Sequence, residues 1–280
     1  MYLKKIATLA FACLCFVQIQ AQSLKTPAPS PLCTMKQAFG LSDITVEYSR
    51  PSAKGRVVYG NVVPYDQLWR TGANGSTLIT FGDDVTIEGK AVKAGTYSIY
   101  SIPGKTSWDI MLNTDTKLGG NVGEYDKAKE VARFTVKSQA VTEMVETFTI
   151  NVADISANAA EIEIVWEKTK VSFRVETEID SKIMANIEKA VIQDNKPYFQ
   201  AARYYYENDK DMNQALTWIN KAVESNPGAY WVLMVKANIQ YKLNDMKGAK
   251  ETANKVVEIA TADGDSAYVR QGKELLAKIK

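Results

Sequence analysis

The chain has 280 residues, with 34 Lys and Arg against 32 Asp and Glu, 46% apolar and 24% charged residues, and no histidine. This length suits two ordinary domains, each with its own core, and the composition excludes disordered and collagen-like chains. Without imidazole there is no Ser-His-Asp or Cys-His nucleophile, no His-ligated zinc and no imidazole acid–base catalysis. A non-catalytic role is therefore favoured, and any catalysis would fall to carboxylates, Lys or Tyr.

Residues 1–21 have the form of a secretory signal peptide. Lys4-Lys5 supply the positive end, Ile6 to Val17 a short apolar stretch, and Ala21 a small residue at a cleavage site before Gln22. The stretch is short for a bilayer span, which needs about 20 residues. Lipoprotein cleavage before Cys13 or Cys15 fits poorly, because Phe11 and Leu14 are bulky. The chain is expected to be exported, to the periplasm or beyond, with no transmembrane span once cleaved. Removing Lys4 and Lys5 balances the charge, so nothing draws the chain to nucleic acid. Cys33 then stands alone in a Pro-rich stretch, and residues 22–37 are expected to be a linker.

Residues 38–178 show period-two alternation broken by Gly, Asn and Asp. Ile44, Val46 and Tyr48 alternate with polar residues as in a half-buried strand. Leu78 to Phe81 and Val85 to Ile87 flank Gly82-Asp83-Asp84, which predicts a hairpin. Gly95 to Ile102 turns at Pro103-Gly104 into Trp108 to Leu112. Further strands are predicted at Val131–Val136, Phe148–Val152, Ile162–Trp166 and Val171–Val175, the last two separated by a polar turn at Glu167 to Lys170. Many short strands with close turns predict an antiparallel sandwich.

From residue 179 to 280 the pattern becomes helical. Ala202, Tyr206, Ala215, Ile219, Ala222 and Pro227, with Phe199 ahead of them, have the spacing of a tetratricopeptide repeat. A shift of 34 residues from Arg203, Ala215, Ile219 and Ala222 gives Ala237, Ala249, Ala253 and Val256. A last helix from Ser266 to Ile279 would cap the stack. The fold class expected is thus an all-β antiparallel sandwich followed by an all-α tetratricopeptide-like array. Its concave face would carry Tyr204, Trp231, Met234, Asn238 and Tyr241, suited to a protein or peptide partner, unless these side chains pack on the sandwich.

In the β region, Ser49-Arg50-Pro51, Lys54-Gly55-Arg56 and Val63-Pro64-Tyr65 lead to Trp69-Arg70-Thr71-Gly72-Ala73-Asn74. Ala94 to Ser98, Ile102-Pro103, Trp108 and Asn113 follow. This ordered set, over residues 38 to 176, resembles the DUF2911 family of exported bacterial proteins, common in the Bacteroidetes. Asp66 replaces a glycine of that pattern, and Gly119 to Glu124 departs from its Trp-Gly. The resemblance implies an all-β domain, often with a helical tail, and no known activity.

The densest polar cluster offers Arg50, Lys54, Arg56 and Arg70 as cations, Tyr65 and Trp69 as aromatic platforms, and Asn74 and Thr77 as neutral donors. Guanidinium forks beside flat rings suit a small anionic or carbohydrate ligand, whereas the same residues could equally be scaffold. Asp83-Asp84 reads as turn chemistry. Asp109, Asp115 and Asp126 lack EF-hand spacing, and no metal or cofactor is expected. Two alternatives to a binding protein stay open: a histidine-independent hydrolase or lyase acting on glycans or peptides, and a structural assembly component.

Overall fold

The computed structural model describes residues 26–192 and 197–279, so the signal segment lies outside the described residues. The chain divides after Glu178 into a β unit and a helical unit.

In the β unit, β1 (Leu32–Phe39), β2 (Ser42–Ser49), β3 (Ala73–Phe81), β6 (Gly95–Pro103), β7 (Ser107–Asn113) and β8 (Glu130–Lys137) form one antiparallel sheet in that order. β5 (Lys90–Val92), β4 (Val85–Ile87), β10 (Ala159–Thr177) and β9 (Gln139–Ala153) form a second. Alternate residues of both sheets meet between them. Ile44, Val46, Ile79, Phe81, Ile99, Trp108 and Ile110 pack with Phe148, Ile150, Ile164, Trp166 and Phe173, all buried. Each such side chain contributes on the order of 2 kcal/mol through apolar burial.

Three local expectations are corrected. The stretch assigned to a linker through residue 37 ends sooner: from Leu32 onward every residue of β1 pairs with β2, and Cys33 and Met35 pack on the core. Residues 78–87 are not a hairpin. β3 and β4 lie in different sheets, and Gly82 makes the corner, where a Cβ would fall 2.0 Å from Ser42 Oγ. A tight corner and a hairpin need the same small polar residues, so local sequence does not separate them. Finally, Glu167 to Lys170 is no turn. β10 runs through it, with the register to β9 shifting on either side of Glu167 and a positive φ at that residue, as in a β-bulge.

The helical unit contains α1 (Asp180–Ile192), α2 (Tyr198–Glu207), α3 (Met212–Ser225), α4 (Tyr230–Lys242), α5 (Met246–Asp263) and α6 (Ser266–Lys278). Asp211 and Asp245, 34 residues apart, cap α3 and α5 by accepting backbone N–H groups. Ala202, Ala215, Ala237, Ala249 and Ala253 have no exposed surface, and such small residues let paired helices approach closely. The expected sandwich followed by a tetratricopeptide-like array is what the chain forms. No described helix is long and apolar enough to cross a membrane.

Candidate functional site

The cluster from Arg50 to Thr77 serves largely as scaffold. Arg50 donates through Nε to the Phe148 carbonyl at 3.1 Å and through Nη2 to Thr149 Oγ1 at 2.8 Å. Arg56 folds back onto the carbonyls of Ala53 and Ser52. Lys54 occupies a turn with positive φ, and its backbone N–H donates to Glu146. Trp69 donates to the Gly72 carbonyl and stacks on Trp166 at 6.2 Å, beside Trp108 and Phe148. Tyr65 packs on the same core, with Lys105 over its ring. Asn74 donates to Ser30 and Ser49, and the buried Thr77 to the Thr71 carbonyl. Most of these polar atoms are thus spent on the fold's own backbone, and in different directions. Arg70 is the exception, with its Nε buried and without a partner among the described residues.

The outer face of the six-stranded sheet is covered by residues 114–129. Tyr100 and Met111 are fully buried there, outside the central core. Tyr100 donates to the Gly119 carbonyl at 2.7 Å, and Asn113 to the Asp126 carbonyl. Burial pushes the Tyr125 phenol up to about 12. Asp109, Asp115 and Asp126 serve separately: Asp109 pairs with Arg133, Asp115 with Lys129, and Asp126 caps the Ala128 N–H. Asp84 accepts from Lys93 and from the Ala94 N–H.

In the helical unit, one groove of about 300 Å³ is lined by three helices that each open a helical layer. α2 contributes Phe199, Arg203 and Tyr206, α4 contributes Trp231, Met234 and Asn238, and α6 contributes Tyr268 and Gln271. Trp231 keeps 42% of its surface exposed, whereas Met234 is buried and forms floor rather than rim. Arg203 is held by Glu207 at 2.7 Å. Tyr204 and Tyr241 stand apart from the groove. Tyr204 donates to Asp180 of α1, and Tyr241 packs on the α4–α5–α6 core. Two other hollows flank α1, one lined by Tyr204 and the other by Trp218.

A family model described as a protein of unknown function, DUF2911, matches residues 30–175, more than half of the chain. The chain belongs to the DUF2911 family. The match starts at residue 30, so β1 is part of the DUF2911 domain. Models of the tetratricopeptide repeat match residues 196–228 and 232–263, the α2–α3 and α4–α5 hairpins. No curated protein matches the chain.

Beside the DUF2911 domain, then, stands a repeat pair with the capacity for protein interaction. Sequence reasoning found three of the groove's residues, Trp231, Met234 and Asn238, and missed Phe199, Arg203 and Tyr206 of α2 as well as Tyr268 and Gln271 of α6. Adding 34 to Met234 and to Ala237 reaches the α6 pair, because the capping helix lines the groove as a third copy of the first helix of a repeat.

Proposed function

We propose that this DUF2911 protein is a non-catalytic binding protein of the bacterial envelope, whose helical groove holds an extended segment of a protein partner. The observation that carries the reading is the exposed indole of Trp231 beside the Asn238 and Gln271 amides, above a floor of Phe199 and Met234. Carboxamides both donate and accept, which suits a peptide backbone. A half-exposed Trp supplies rigid anchoring area at low entropic cost. Export is supported by Lys4-Lys5, the apolar run to Val17 and Ala21.

The test uses the full chain expressed in a diderm host, with a photo-crosslinker at Gln271. One stoichiometric partner is expected, and the double variant Trp231→Ala, Asn238→Ala should lose it while melting normally. Retention of the same species by the double variant would overturn the reading. Intact mass of the envelope fraction tests export: a chain shortened at Ala21 is expected, and a full-length chain confined to the cytoplasm refutes it.

A further inference from the structure

All the arginines of the described residues but one have a guanidinium tied to an acceptor. Arg50 and Arg56 reach backbone carbonyls, and Arg133, Arg174, Arg203 and Arg270 reach carboxylates. Arg70 makes no hydrogen bond or ion pair among the described residues, and its Nε is buried. A buried cationic donor left this way is costly, and native folds seldom keep one without a use.

The chain around Arg70 holds it rigidly. Trp69 exchanges backbone hydrogen bonds with Ser101 at 2.8 and 2.9 Å. Thr71, fully buried, has a φ of 54°, rare for a β-branched residue. Its hydroxyl meets Ser101 Oγ at 2.8 Å, and its carbonyl accepts from Thr77 at 2.7 Å. Strain of this kind persists where the surroundings over-determine it, and it gathers at binding sites.

Gly120, in the segment over the outer sheet face, abuts the guanidinium. A Cβ on Gly120 would run into Arg70 Nη1, so the loop lies directly against the end of the guanidinium. Gly119 is fastened from both sides, donating to Ser76 Oγ at 2.9 Å and accepting from Tyr100 at 2.7 Å. The carboxylates at the two ends of the 114–129 segment are committed elsewhere: Asp115 to Lys129 at 2.9 Å, and Glu130 to Arg133 at 2.7 Å.

We propose that Arg70, beneath the Gly119–Gly120 loop, is a recognition site for a small carboxylate. A guanidinium fork donates two parallel N–H bonds to the two oxygens of a carboxylate. One fork carries one charge, which matches a monoanion. A phosphate dianion calls for more cations, and Lys129 is already taken by Asp115. Because Trp69 and Thr71 are fixed, the backbone that carries Arg70 has little ordering left to lose on binding.

The test titrates the full chain with sodium acetate at constant ionic strength, following arginine Nε–H resonances in proton–nitrogen correlation spectra. The Arg70 resonance, assigned through its own backbone amide, is expected to shift saturably while those of Arg174 and Arg203 stay in place. Arg70→Lys should weaken acetate binding about tenfold or more, because an ammonium lacks the planar fork. If that variant does not fold, the wild-type titration still decides. A parallel arm uses an acetylated, amidated glutamyl peptide: response to both titrants extends the site to acidic side chains, and response to acetate alone limits it to free acids. An unmoved Arg70 resonance, an equal shift with chloride, or a shift with inorganic phosphate and not acetate overturns the proposal.

Discussion

Tyr48 and Ile150 lie in opposite sheets and exchange two hydrogen bonds. The phenol donates to the Ile150 carbonyl at 3.1 Å and accepts from the Ile150 N–H at 2.9 Å. β9 is the end strand of its sheet, so a side chain from β2 does there what a neighbouring strand would otherwise do. Tyr48→Phe keeps the edge-on ring contact with Phe148 at 5.8 Å and orphans both backbone groups. A loss of about 2 kcal/mol is expected, read as a melting temperature lower by about 5 °C. An unchanged melting temperature would contradict the assignment.

Trp69 and Arg70 are adjacent and are expected to respond oppositely. Trp69→Ala removes contacts with Tyr59, Trp108, Phe148 and Trp166 and should cost about 3 kcal/mol. Arg70→Met replaces an unpaired guanidinium with apolar volume and should leave stability unchanged or raise it. Denaturant midpoints of the two variants check this. Comparable losses in both would make Arg70 a structural residue.

The third prediction concerns acid. The Arg133 fork beside Glu130 holds its carboxyl below the usual carboxylate range. A folded-state value below the unfolded one means that the stabilisation is complete above the ordinary carboxylate value of about 4.3. It is lost as pH falls through the lower, folded value. Glu130→Gln should therefore be less stable than wild type near pH 6, and the gap should have narrowed at about pH 3. Urea midpoints at the two pH values decide, and a gap independent of pH would refute the coupling.

In the helical unit, Ala253 is fully buried, and its carbonyl lies 3.4 Å from where a Cβ on Gly272 would stand, where α5 and α6 cross. Ala253→Leu overfills this crossing and should cost about 1–3 kcal/mol. The helical signal at 222 nm should melt earlier. An unshifted melt would mean that the crossing has spare room.

The kinds of element and their order were legible in the residues. Ile44, Val46 and Tyr48 declare a strand face by alternation, and Ala215 and Ala249 declare a repeat by their spacing, because both periods come from backbone geometry and need no partner. Tertiary structure alone decided which sheet each strand joined, so a corner at Gly82 passed for a hairpin and a bulge at Glu167 for a turn. It also decided which polar groups were spent. Arg50, Arg56 and Arg70 are the same residue type within one short segment, yet two find carbonyls and the third finds no acceptor among the described residues. The physical reason is that a hydrogen bond between residues 98 apart, such as Arg50 to Phe148, depends on how two sheets pack, which no local period encodes.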